Sequence, residues 1–107
     1  MTLVEYEAEA AVTANPRLAE RDRLLDSAVG LAEESGEILS LVRKHAFQSR
    51  ALDRDRISEE LGDALWCLAM TARHAGTSLE SVAQANVAKL RARYPEGYQN
   101  RAPGEPQ

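Results

Sequence analysis

Carboxylates stand in two short groups along the chain, and each group lies beside a helical pattern of apolar residues. The first group, in "GLAEESGEILSL", is Glu33, Glu34 and Glu37, and the second is Glu60 and Asp63. Residues three apart share one face of an α-helix, so Glu34 pairs with Glu37 and Glu60 pairs with Asp63. Like charges crowded beside a core repel one another. A divalent cation would remove that cost, and carboxylate oxygens suit hard ions, Mg²⁺ first and Mn²⁺ next.

The positions of these acids on a helical wheel strengthen the metal interpretation. At about 100° per residue, Glu34 falls inside the apolar arc of its helix and Glu37 lies at the edge of that arc. Glu60 and Asp63 line one flank of the next apolar stripe. Two antiparallel neighbouring helices would therefore face four carboxylates at each other across one groove.

The alternative is that the acids are solvated charges on helix surfaces, as most glutamates are. That interpretation predicts Lys or Arg three or four residues later, and none follows Glu34, Glu37 or Glu60. A ferritin-like di-iron site would need Glu-x-x-His on two helices. Val42 and Thr71 occupy the positions three before the two histidines, which counts against redox iron.

The elements that must position these acids are all helical. No stretch alternates with period two, so no strand is expected. The predicted helices, by residue number, are 3–13, 18–47, 56–74 and a fourth that opens at the segment 77–80 and ends near 94. The sequence therefore predicts an all-α four-helix bundle in a domain of residues 1–98, followed by a flexible tail, 99–107.

Local signals set the predicted helix ends. Asn15 is a candidate N-cap with Pro16 at the first helical position. Asp53 or Asp55 is expected to cap the third helix, and Gly76 to end it. The segment "TSLE", residues 77–80, has the form of a capping box at the start of the fourth helix.

Composition and charge argue against several classes of partner and location. The chain has 107 residues and a net charge of −4, which argues against a nucleic-acid partner because such proteins usually show a basic stripe. Cys67 is the only cysteine, the longest apolar run is far too short to span a membrane, and the first residues lack a signal-peptide pattern. We therefore expect a cytoplasmic protein without a membrane partner. A domain this small has little room for a private cavity, so we expect a homodimer or homotetramer that shares its active site.

Three ordered segments resemble one known family. Glu33-Glu34-Ser35-Gly36-Glu37 has the form E-E-x-x-E, and Glu60-Leu61-Gly62-Asp63 has the form E-x-x-D. With their contexts "GLAEESGEI" and "ISEELGDALW", and with "NVAKLRARYPEGY" further on, they resemble the MazG-like, all-α nucleoside triphosphate pyrophosphohydrolases. The resemblance implies hydrolysis of a nucleoside triphosphate, commonly a dNTP, to the monophosphate and pyrophosphate.

The resemblance also implies roles for the acids. It makes Glu34, Glu37, Glu60 and Asp63 the Mg²⁺ ligands, and Glu33 our candidate for positioning or deprotonating the attacking water. An acidic protein repels a triphosphate, so basic groups are expected as well. The fourth helix offers Asn86, Lys89 and Arg93, for which the resemblance implies contact with the substrate phosphates. The alternative is a buried amide beside two basic residues that extend along an apolar surface.

Aromatic residues are the remaining candidates. For Trp66, core packing together with a dimer interface is the favoured interpretation, and stacking on the nucleobase is the alternative. Tyr98 could close over the nucleotide or pack the tail. Related dCTP-preferring enzymes carry aromatics where this chain has Lys44-His45 and Cys67, so the base preference stays open. A non-catalytic helical interaction module, or a nucleotide or metal sensor, is the alternative to the enzyme.

Overall fold

Helices make up nearly all of the ordered secondary structure. The computed structural model describes residues 1–98; residues 99–107, and with them the predicted tail, lie outside that range. The four helices are α1 (Leu3–Ala11), α2 (Glu20–Phe47), α3 (Arg54–His74) and α4 (Leu79–Arg93). Between residues 1 and 98 the only extended pairing is an isolated bridge from Pro95 to Gly97. The predicted all-α class and the number of helices are confirmed.

Two of the predicted helix ends are also confirmed. Asp53 is the N-cap of α3, and its carboxylate accepts a hydrogen bond from the backbone N–H of Arg56 at 3.0 Å. Such a cap satisfies one of the first N–H groups of the helix, which have no partner inside the helix itself. Gly76 follows α3 with a φ of +86°, a left-handed conformation that glycine adopts without steric cost.

The predicted start of α2 is wrong. Asn15 and Pro16 form a turn instead of a helix start, in which the Asn15 side chain accepts from the N–H of Arg17 at 3.0 Å. The helix begins at Glu20, after Ala19. The reason is Arg23, whose guanidinium donates to the carbonyl oxygens of Leu18 and Pro16 at 2.7 and 2.8 Å. Those carbonyls point at the arginine instead of along a helix axis.

The predicted capping box of α4 is also wrong. The N-cap is Ser78 instead of Thr77, and its hydroxyl accepts from the N–H of Ser81 at 3.1 Å. Both residues are good N-caps, so their preferences alone do not choose between them. α1 ends at Ala11, two residues before its predicted end.

The α2–α3 hairpin is the main contact of the molecule, and α1 and α4 pack at one end of it. α1 and α4 contact α3 and each other, whereas α4 does not pack on α2. The buried core lies at this end, around Ala10, Ala69, Met70 and Leu79, with Trp66 packed against it. None of the helices in residues 1–98 is both long and apolar enough to cross a membrane.

Candidate metal centre

Three successive layers of contacts join α2 to α3, and we call this interface the seam. In the first, the hydroxyl of Thr71 donates to that of Ser27 at 3.1 Å. In the second, Gly30 faces the sulfur of Cys67. One turn further along both helices, the third layer contains Glu34 and its acidic partners. The order of the partners shows that the helices are antiparallel, as the sequence predicts.

Three carboxylates meet in the third layer. Glu34 comes from α2, and Glu60 and Asp63 come from α3; one oxygen atom of each lies within 4.8 Å of the others. Oxygens bound to a single Mg²⁺ at about 2.1 Å stand at most about 4.2 Å apart. The side chains therefore need to move only slightly to hold such an ion. Because both supports are long helices, the ligand positions are set by the helix packing.

Glu34 is the least satisfied of the three acids. Its Oε2 atom is buried and has no hydrogen-bond partner among residues 1–98. A hydrogen bond shared with Glu60 raises the pKa of Glu34 to about 7, and the loss of hydration and the charges of Glu60, Asp63 and Glu37 act in the same direction. A carboxylate that resists ionisation beside other acids gains the most from a cation.

Glu60 has a cationic neighbour that the sequence analysis did not anticipate. The Nε atom of Arg56 lies 3.7 Å from Oε1 of Glu60. The expectation of acids without helical partners is therefore wrong for Glu60, because its partner stands four residues before it and not after it. The pattern Arg-x-x-x-Glu was visible in the sequence.

The other two predicted acids of the first motif lie outside the cluster of three. Glu37 is exposed, although its charge contributes to the raised pKa of Glu34. Glu33 is exposed as well. The structure thus brings together three of the four predicted metal ligands, and both remaining acids are open to solvent.

Three further residues near the cluster were not predicted as part of it. An ideal Cβ on Gly30 would lie 2.9 Å from the sulfur of Cys67. Burial raises the pKa of the Cys67 thiol, and the charges of Glu34 and Asp63 add to that effect. Burial raises the pKa of Tyr6 on α1, and the charges of Asp63 and Cys67 add to that effect, so the Tyr6 hydroxyl lies within electrostatic range of both residues. Only Gly30, a weak point inside a helical pattern, gave a signal in the sequence.

The predicted phosphate contacts lie on a helix that supplies none of the three carboxylates. Asn86, Lys89 and Arg93 are exposed on α4. Within residues 1–98, none of the three is hydrogen-bonded or ion-paired to the cluster. Because Asn86 is exposed, the alternative interpretation of a buried amide is wrong.

The two aromatic candidates have different surroundings. The indole N–H of Trp66 donates to the hydroxyl of Thr13 at 2.8 Å and approaches the carbonyl oxygen of Ala10 at 3.3 Å, so Trp66 joins α3 to the end of α1. Tyr98 is 67% exposed and tilts against Tyr94, with 5.9 Å between the ring centres.

Comparison with known proteins gives one family. The chain is 34% identical over 73 residues to the "Gene 37 protein" of Mycobacterium phage L5, an alignment that covers 64% of this chain and 64% of that protein. The chain thus spans less than two thirds of the length of that relative. No solved structure matches. Residues 25–98, which include both acidic motifs, match the model of the MazG nucleotide pyrophosphohydrolase domain, and the chain belongs to that family.

Proposed function

We propose that the protein hydrolyses a nucleoside triphosphate, with a dNTP as the preferred class, to the nucleoside monophosphate and pyrophosphate. The observation that carries this proposal is the convergence of Glu34, Glu60 and Asp63 on one point between two helices. In a chain of the MazG family, such a cluster fits a divalent cation that binds triphosphate oxygens.

The acids divide into two roles. Glu34, Glu60 and Asp63, with Glu37 beside them, would hold Mg²⁺, which supplies charge neutralisation and polarises the α-phosphorus. Glu33 is exposed, so water can reach it, and we assign it the positioning or deprotonation of the attacking water. The water oxygen forms a bond to the α-phosphorus, and the bond from that phosphorus to the bridging oxygen breaks to release pyrophosphate.

Basic groups must offset the negative charge of the site. We assign Asn86, Lys89 and Arg93 to the substrate phosphates, since their side chains are exposed and available for binding. α4 does not pack against α2 within one chain. We propose that a second copy of the chain supplies these groups to the cluster, in a homodimer or homotetramer.

The surroundings of the aromatic residues favour one of them for the nucleobase. Tyr98 is exposed, whereas the indole of Trp66 is engaged with α1. We therefore propose Tyr98 as the better base contact and assign Trp66 mainly to packing. We also retain the cytoplasm as the compartment, where nucleoside triphosphates are abundant, with neither nucleic acid nor membrane as a partner.

The test is a panel of NTPs and dNTPs incubated with the full chain and Mg²⁺, with the monophosphate and pyrophosphate measured separately. Glu60→Gln and Asp63→Asn should each lower kcat by roughly 100-fold or more, as the loss of one preorganised electrostatic group does. Glu59→Gln is the matched control, because Glu59 is an exposed neighbour on the same helix outside the cluster.

Two results would contradict the proposal. One is the absence of pyrophosphate with every nucleotide at high protein concentration, which would favour a sensor or interaction module. The other is full activity of Glu60→Gln and Asp63→Asn. Circular dichroism of each variant separates lost chemistry from lost helix.

A further inference from the structure

Gly30 of α2 and Cys67 of α3 contact each other one turn away from the carboxylate cluster. Gly30 precedes Glu34 by four residues, and Cys67 follows Asp63 by four. Four residues of helix rise about 6 Å. The Gly30–Cys67 contact therefore adjoins the acids on both helices at once, and a change in the separation there is transmitted directly to the acids.

The space at Gly30 is already filled by sulfur. A Cβ at position 30 would meet Sγ of Cys67 at 2.9 Å, closer than side-chain carbon and sulfur atoms pack. Cys67 is buried, and helices exclude most side chains from one of the three χ1 rotamers. The sulfur consequently has little room to move aside, and the helices would have to separate.

The other glycines of this region behave differently. A Cβ on Gly36 of α2 or on Gly62 of α3 would have no atom within 4 Å. Glycine inside a helix is less favourable than alanine, so a glycine in mid-helix usually has a packing reason. Only Gly30 has such a reason among these three.

We propose that Gly30 and Cys67 are positioning residues that set the separation of α2 and α3, and thereby the spacing of Glu34 from Glu60 and Asp63. Neither touches the cation or the substrate. The contact acts as a spacer: the absence of a side chain on α2 and the sulfur on α3 together fix how near the acids approach. This inference rests on the metal site of the proposed function.

The experiment titrates the full-chain protein with Mn²⁺ alone and follows free Mn²⁺ by electron paramagnetic resonance. Gly30→Ala should raise the Kd for Mn²⁺ about ten-fold or more, the range found when residues that orient metal ligands are changed. Gly36→Ala should leave the Kd at the wild-type value. The double variant Gly30→Ala/Cys67→Ala removes the sulfur that the new methyl group meets, and it should restore binding.

A second control separates spacing from stability. Ser27→Ala removes the hydrogen bond to Thr71 in the same seam without adding volume. It should lower Tm while leaving the Kd for Mn²⁺ unchanged. A loss of affinity in Ser27→Ala as large as that in Gly30→Ala would mean that any weakening of the seam has the same effect, and it would overturn the spacer.

The separation can also be measured without metal. In crystal structures of the metal-free variants, the Cα distance from residue 34 to residue 63 should grow by about half an ångström in Gly30→Ala, the gap between 2.9 Å and ordinary contact. It should return to the wild-type value in the double variant. An unchanged distance together with an unchanged Kd would overturn the proposal. A wild-type protein that binds no Mn²⁺ would instead overturn the metal site. The Cα distances from residue 34 to residue 63 would then still test whether the Gly30–Cys67 contact sets the helix separation.

Discussion

Glu34 is the residue at which the charge of the site is least balanced. One of its oxygens is buried without a hydrogen-bond partner among residues 1–98. A hydrogen bond with Glu60, burial, and the charges of Glu60, Asp63 and Glu37 together raise its pKa to about 7. In the metal-free protein it therefore holds a proton at pH values where a glutamate is normally ionised. Proton and cation compete for the same group, so metal affinity should weaken as the pH falls below about 7.

The raised pKa of Glu34 predicts a pH-dependent stability of the metal-free protein. The folded chain holds this proton up to about pH 7, whereas the pKa is ordinarily 4.5. The stabilising contribution is present below pH 4.5 and is lost as the pH rises through 7. Glu34→Gln lacks this titration, so its free energy of unfolding should rise relative to that of the wild type between these pH values.

Urea unfolding in the presence of a chelator, at fixed protein concentration, measures this difference. Glu59→Gln is the control and should follow the pH dependence of the wild type, because Glu59 stands outside the cluster. If the stability of Glu34→Gln and wild type changed in parallel across this range, Glu34 would titrate as an ordinary glutamate.

The sequence could predict which acids share a helix face but not which residues meet across different helices. Glu60 and Asp63 share a face because helical periodicity is local, and that requires no knowledge of packing. The approach of Gly30 to Cys67, and of Tyr6 to Asp63, depends on how the helices are aligned and on where α1 docks. Those are tertiary properties that helical periodicity does not encode.

At the scale of elements, Glu7 ties three helices together. Its Oε1 atom accepts from the backbone N–H of Leu79 at 2.8 Å, and its Oε2 atom accepts from the guanidinium of Arg73 at 3.2 Å. The first N–H groups of a helix have no partner within it, so Glu7 of α1 supplies one for α4 while it holds α3. The orientation of α4, and with it of Lys89, depends on this carboxylate.

Glu7→Ala should destabilise the protein by about 1–3 kcal/mol, because the N–H of Leu79 and the Arg73 guanidinium lose a charged partner. Thermal or urea unfolding measures the change. Glu9→Ala, an exposed glutamate on the same helix, should change stability by less than about 0.5 kcal/mol. Equal losses of stability in the two variants would show that helix propensity and net charge determine the effect, and that the contacts of Glu7 with Leu79 and Arg73 do not.

The starts of α2 and α4 show why helix ends are harder to predict than helices. The hydrophobic period of α2 identified the element, but Arg23 reaches back to the carbonyls of Pro16 and Leu18 and delays its start. At α4, Thr77 and Ser78 are both acceptable caps, and the turn around Gly76 selects the second. In each case a single side chain or turn decides the boundary.

For the whole molecule, the outstanding feature is how little of it is buried. Among residues 1–98, only seven side chains are buried, six of them apolar. The radius of gyration is 17.3 Å, against about 13 Å for a compact domain of this length. Large apolar side chains instead remain exposed along α2, α3 and α4, among them Leu25, Leu39, Leu61 and Leu68. Exposed apolar surface of this kind is typical of interfaces between proteins.

A second copy of the chain is the partner that this surface predicts. Leu25 and Leu39 are 64% and 58% exposed and lie roughly 140° to 180° around α2 from Glu34, so α3 cannot cover them.

Light scattering during gel filtration should give the wild type at least twice the mass of one chain. Leu25→Glu/Leu39→Glu should shift it to one chain, because burying an unpaired charge at an interface costs several kcal/mol. The control Val12→Glu alters an apolar residue that is 82% exposed at the C-cap of α1, and it should keep the wild-type mass. A monomeric wild type would contradict both the shared active site and the supply of Lys89 by a partner, whereas dissociation together with lost pyrophosphate release would tie assembly to catalysis.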